Sequence, residues 1–169
     1  LETIRIKERP NLLWIHVHTN EGLIGLGETF FGAETVESHI HEYIAPRVIG
    51  RDPLQIDLLS AELVGYVGFR STGAEVRGNS AFDIALWDLF GKAVKQPIAQ
   101  LLGGFTRQEI RTYNTCAGTD YIKKRSGQKS SNYDLMKNSV KPYDDLNWFL
   151  NQAGELASSL LEDGITAMK

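Results

Sequence analysis

Between Leu12 and Glu28 the sequence alternates, and from Glu34 it repeats every three or four residues; this change of period constrains the fold more than any other feature. Leu13, Ile15 and Val17 fall on one side of an extended chain, with Trp14, His16 and His18 on the other. That is the pattern of a strand buried on one face. Asn20-Glu21-Gly22 offers a turn, because Asn and Gly tolerate positive φ. Leu23 to Glu28 reads as the returning strand and Thr3 to Ile6 as an earlier one, joined by the loop Arg9-Pro10-Asn11. A small antiparallel sheet follows.

The helical part begins with a stripe of Val36, Ile40, Tyr43, Ile44 and Val48 that ends at Gly50. Asp52-Pro53-Leu54-Gln55 predicts a second helix start, with Asp52 as cap and Pro53 in the first position. Leu54, Leu58, Ala61 and Gly65 would share its apolar face. Gly65 to Gly73 reads as a glycine-rich loop. A third helix, from about Ser80 to Val94, presents Phe82, Ala85, Leu86, Leu89, Phe90 and Ala93, and Asp88 stands four residues before Lys92. Pro97 ends it, and a short turn of helix from Ile98 is closed by Gly103-Gly104. Ile110 to Thr115 predicts a strand, Tyr121 to Tyr143 a long polar loop, Leu146 to Leu161 a helix, and Ile165 to Lys169 the start of another strand. The last unit is a strand–loop–helix–strand.

Composition narrows the function classes. Hydrophobic residues make up 42% and charged residues 23%, enough to build a core and to exclude wholesale disorder. Lys and Arg number 18 against 21 Asp and Glu, a net charge of −3, so no basic excess favours nucleic acid or an anionic membrane. Cys116 is the single cysteine, which excludes an internal disulfide and a multi-cysteine zinc site and fits the reducing cytoplasm. No apolar run approaches the roughly 20 residues that span a bilayer, and residues 1–10 lack the apolar stretch of a signal peptide.

Several small constellations have plain readings. Gly22, Gly25 and Gly27 reverse the dinucleotide-binding spacing and lie within a strand, so they mark close backbone approach. His16 and His18 share a strand face, but no carboxylate or third histidine joins them at convincing spacing, and they read as solvent-facing. His41-Glu42 begins like a zinc-protease helix, yet Ala45 stands where the second histidine is needed. Cys116 reads as a buried, inert thiol, and Lys123-Lys124-Arg125 as a solvated surface. Lys169 ends a strand that follows a helix, the position at which barrel enzymes carry their chemistry.

Three stretches together resemble a known family. They are Gly25-Leu26-Gly27-Glu28-Thr29, then Ala81-Phe82-Asp83-Ile84-Ala85-Leu86-Trp87-Asp88-Leu89-Phe90-Gly91-Lys92 with Gln96-Pro97 and Leu101-Leu102-Gly103-Gly104, and finally Asp163-Gly164-Ile165-Thr166-Ala167-Met168-Lys169. They are similar to the mandelate racemase/muconate lactonising branch of the enolase superfamily, within it to the acid-sugar dehydratase-like members. The resemblance implies an α+β capping domain over residues 1–106, followed over 107–169 by the first βα unit of a (β/α) TIM-type barrel. It implies abstraction of the proton α to a carboxylate, an enediolate stabilised by Mg²⁺, and loss of the β-hydroxyl as water. A racemase, epimerase or cycloisomerase of the branch shares the first step; a non-catalytic binding domain is the alternative of another class.

Carried over by position, Lys169 matches the first lysine of the family's Lys-x-Lys strand motif and is the candidate catalytic residue. It would orient the substrate carboxylate and adjust its neighbour's pKa, and the assignment of the base stays open. Asn114 and Thr115 match the end of the first barrel strand and Asn11 the first cap loop. Phe69 and Arg70 match the second cap loop. All four loop and strand-end positions, with Asn11, are candidate substrate contacts. The family's metal carboxylates come from later strands, so no metal ligand is assigned, and residues 1–169 alone are expected to be inactive. The implied partners are a sugar-acid substrate and further copies of the chain in a homo-oligomer.

Overall fold

The computed structural model describes residues 1–7, 11–64, 73–116 and 145–169. Two compact units make up the chain, Leu1–Phe105 and Thr106–Lys169.

The first unit contains an antiparallel sheet of three strands in the order β1 (Glu2–Ile4), β2 (Leu12–His18) and β3 (Ile24–Phe30). The expected alternation holds: Leu13 and Ile15 are fully buried, while Trp14, His16 and His18 lie on the opposite face. Gly22 turns the hairpin with φ of 82°, and the Thr19 N–H donates to the Leu23 carbonyl across it. The helix α4 (Ala74–Val94) lies along β3 and β2. Gly25 and Gly27 make this approach possible, since a Cβ at either would run into the backbone carbonyls of Ala85 and Ala81. The close-approach reading is therefore correct for Gly25 and Gly27 but not for Gly22, which lies in the turn before β3 and whose Cβ would meet nothing within 4 Å. Ala81, Phe82, Ala85, Leu86 and Leu89 bury the contact, though Ala93, expected on this face, is exposed.

Asp88 and Lys92 pair as expected, 2.6 Å apart, and do more than stabilise their own helix. Asp88 Oδ2 accepts the Leu26 N–H at 2.7 Å, and Lys92 Nζ donates to the Ile24 carbonyl at 2.8 Å. The pair thereby fastens α4 to the start of β3.

The stripe from Val36 to Val48 is helical, in three pieces. α1 (Ala33–His39) passes through a wider π turn at Ile40–Ile44 into α2 (Ala45–Val48). Pro46 has no N–H for the Glu42 carbonyl and its ring crowds that carbonyl. The Ala45 N–H donates instead to Ile40, one residue further back than in an α-helix. Ile40, Ile44 and Val48 keep their buried face throughout.

The second helix begins later than the sequence suggests. Asp52 Oδ1 accepts the Leu54 N–H at 2.9 Å in a local turn, and α3 runs from Ile56 to Leu63. This shift sets a different phase: Ile56, Leu59 and Leu63 are buried, whereas Leu54 and Leu58 are about half exposed, at 48% and 47%. α5 (Ile98–Leu101) follows Pro97 as expected, and Gly103 and Gly104 leave it with positive φ.

In the second unit the expected single helix is two, α6 (Asp145–Asn151) and α7 (Ala153–Glu162). The Asn151 amide donates to the carbonyl and side-chain oxygen of Asn147, both at 2.9 Å, and Gln152 leaves helical geometry with φ of −144°. Leu156, Leu160 and Cys116 form the small core, flanked by Trp148, Phe149 and Ile165. The two expected strands pair only at one parallel bridge, Asn114 to Met168. Ile110 and Tyr113 are exposed at 75% and 55%, and among the described residues no apolar surface covers them to hold a longer strand in place.

Candidate active site

The bridge is what organises the candidate residues of the second unit. The Asn114 N–H donates to Ala167, and the Lys169 N–H donates to Asn114, both at 3.0 Å. Because the two segments are parallel, Thr115 and Lys169 each stand one residue beyond the bridge, at the same end. Asn114 is half-buried, while Thr115 and Lys169 are exposed.

A tight turn closes the first segment immediately afterwards. The Asn114 side-chain oxygen accepts the Cys116 N–H at 2.7 Å, holding Cys116 in the left-handed region at φ 52°. Cys116 is 1% exposed and packed in the small core, so the reading of it as a buried thiol is correct. Its sulfur lies 3.7 Å from the Asn114 carbonyl. Asn114 thus links the two segments through its backbone and shapes the turn through its side chain.

Asn11 belongs to the other unit, where its carbonyl accepts the Phe31 N–H at 2.8 Å beside the entrance to β2. Phe31 itself has φ of 84°, and the Arg77 guanidinium stands 5.7 Å from its ring while donating to the Phe30 carbonyl at 2.6 Å. A phenylalanine at positive φ is an uncommon, strained feature. Phe69 and Arg70, like the loop from Tyr121 to Tyr143, lie outside the described residues. The structure therefore brings together Asn114, Thr115 and Lys169 and leaves Asn11 in a separate unit.

Comparison with known proteins settles the family. The profile of the mandelate racemase/muconate lactonizing enzyme N-terminal domain matches residues 4–103. The chain belongs to this family. A crystal structure of an enolase of the mandelate racemase subgroup from Agrobacterium tumefaciens is 63% identical, with a TM-score of 0.74 over 98% of this chain and 36% of that one. A D-galactonate dehydratase from Verminephrobacter eiseniae is 36% identical over 120 residues, 70% of this chain and 31% of the relative. An enolase from Pantoea ananatis, crystallised with D-gluconate and Mg, is 36% identical with a TM-score of 0.63 over 70% of this chain and 30% of that one. The chain thus spans about a third of the length of these relatives.

The sheet and helices of Leu1–Phe105 are the family's capping domain. No described helix is long and apolar enough to cross a membrane. The capping domain also contains a cluster that sequence reasoning missed. Glu2 pairs in register with His16, and both His16 and His18 reach its carboxylate. Hydrogen bonds from His18 and then His16 hold the Glu2 carboxyl below the usual carboxylate range. Strand register was the signal needed to find it; spacing along the chain gives none.

Proposed function

We propose that the protein carrying this chain is an acid-sugar dehydratase. Residues 1–106 form its cap and 107–169 open its (β/α) barrel. The observation that carries this reading is the Asn114–Met168 bridge with Lys169 one residue beyond it. In a parallel barrel that end of the strands is where substrate is bound and transformed. The D-galactonate dehydratase among the relatives and the gluconate in the Pantoea structure support a sugar acid as substrate.

In the proposed reaction a base removes the proton on the carbon α to the carboxylate, leaving an enediolate. The β-carbon–oxygen bond then breaks, the hydroxyl departs with a proton as water, and the enol product tautomerises to a 2-keto-3-deoxy acid. The Lys169 ammonium is suited to pairing with the substrate carboxylate, and its positive charge lowers the pKa of a neighbouring base. Asn114 and Thr115 contribute hydrogen-bonding groups at the same level. Asn11, Phe69 and Arg70 are proposed to meet the substrate from the cap loops.

The Mg in the Pantoea structure supports magnesium as the whole protein's cofactor. Mg²⁺ takes oxygen ligands in a near-octahedral shell, commonly with carboxylates. Asn114, Thr115 and Lys169 include no carboxylate, and the Glu2 cluster is mainly nitrogen. The described residues do not fit the ion, and its ligands are assigned beyond Lys169. The proposed assembly is a cytoplasmic homo-oligomer.

The test is a screen of the whole protein with Mg²⁺ against a panel of sugar acids that includes D-galactonate and D-gluconate. At least one is expected to yield a 2-keto-3-deoxy acid. Formation of none across the panel would overturn the dehydratase reading.

A further inference from the structure

Glu2 opposes His16 across β1 and β2, and His18 lies further along β2 on the same outward face. Glu2 Oε2 is 2.8 Å from His18 Nε2 and 3.2 Å from His16 Nδ1. One carboxylate oxygen and two ring nitrogens therefore converge, with all three ligand atoms within 4.8 Å of one another. The two rings stand edge to face at 76° with centroids 5.9 Å apart, and each has one nitrogen within hydrogen-bond distance of the shared oxygen.

The geometry points to a divalent transition-metal site on the outer face of the capping sheet, with His16, His18 and Glu2 as ligands and zinc as the ion it takes. Ligands about 2.0–2.1 Å from zinc in a tetrahedron lie about 3.4 Å apart. The observed 2.8 and 3.2 Å separations need only a sub-ångström opening to admit the ion, which replaces the protons now shared between the rings and the carboxylate. Two imidazoles and one carboxylate suit zinc and its neighbours in the first row, and suit Mg²⁺ or Ca²⁺ poorly, because those ions prefer oxygen. Three protein ligands leave the fourth position to water.

Access and rigidity are both present. Side-chain exposures of 53% for Glu2 and 47% for His18 leave an open approach from solvent. His16, at 28%, is the more firmly packed ligand, on the central strand with Leu26 as its partner on β3. Glu2 comes from β1, which pairs with β2 alone among the described strands. Bound zinc would clamp that edge strand to the sheet, and a ligand bound only by the folded form raises the melting temperature.

The test titrates the protein carrying this chain, prepared without a histidine tag, with Zn²⁺ by calorimetry and follows its Tm. The expected result is one zinc equivalent per chain more in the wild type than in the His16→Ala/His18→Ala double variant, with a rise in Tm that the variant lacks. Glu2→Gln, which keeps the strand and the side-chain shape, weakens that equivalent by at least the roughly tenfold that losing even an outer-shell partner costs. His41→Ala, whose ring bonds to Thr3 at 2.8 Å, leaves it unchanged. The same zinc stoichiometry in wild type and double variant would overturn the site, as would undiminished affinity in Glu2→Gln.

Discussion

Gly27→Ala tests the packing that defines the capping domain. The new Cβ would overlap the Ala81 carbonyl of α4 and stand 2.9 Å from Ile15 Cγ2, closer than real Cβ contacts come. Neither neighbour is the free end of a flexible chain, so β3 and α4 must separate by something on the order of 1 Å, which forfeits a quarter to a half of each dispersion contact between them. Overpacking of this kind costs about 1–3 kcal/mol. The same separation strains the Asp88–Leu26 and Lys92–Ile24 hydrogen bonds, at about 1 kcal/mol each. The expected loss is about 3–5 kcal/mol. Gly22→Ala is the control, because nothing lies within 4 Å of its Cβ and only the left-handed backbone, at φ 82°, is penalised. That costs about 1–2 kcal/mol. Urea unfolding followed by tryptophan fluorescence compares them. Equal losses in the two variants would refute the claim that α4 rests directly on the β3 backbone.

Arg5 hydrogen-bonds Glu37 at 2.9 Å and Glu34 at 3.1 Å. Chiefly through Arg5, against an opposing push from burial, the Glu37 carboxyl is held below its usual range. A depressed carboxylate pKa gives stability that is complete above the unfolded value, near 4.3 for Glu, and is lost as pH falls through the folded one. Arg5→Ala is therefore expected to lower stability by about 1 kcal/mol at pH 7 and by much less near pH 3; a deficit independent of pH in urea titrations would contradict the pairing. Cys116, at 1% exposure, is expected to react with a disulfide reagent only after unfolding; labelling as fast in native buffer as in urea would show the small core to be open.

Much of the cap was legible because its signals are local. Alternation in β2 reports one buried face whatever packs on it, and Asp88 with Lys92 follows from helical spacing. The misread positions needed information beyond spacing. Asp52 can cap a helix or close its own turn, and the turn wins, which rotates the buried face of α3 from Leu58 to Leu59. Pro46 redirects one hydrogen bond without ending the helical stripe, so apolar periodicity passes over the π turn. Glu2 meets His16 and His18 only through strand pairing. At the candidate active site, the parallel bridge joins Asn114 to Met168 across more than fifty residues, and local pattern reached its two halves separately.

The central claim is that the whole protein removes a proton α to a sugar-acid carboxylate, and deuterium exchange measures that step without requiring the later loss of water. D-Gluconate and D-galactonate, incubated with the whole protein and Mg²⁺ in D₂O, are expected to show enzyme-dependent loss of the α-hydrogen by NMR, as deuterium at the α-carbon of recovered acid or as a deuterium taken up at C3 of the 2-keto-3-deoxy product when its enol tautomerises. The Lys169→Met variant should be slowed at least tenfold, the loss that follows when one transition-state contact of about 1.4 kcal/mol is removed. A panel of sugar acids whose α-hydrogens all stay protium, with the protein folded and Mg²⁺ present, would contradict the account.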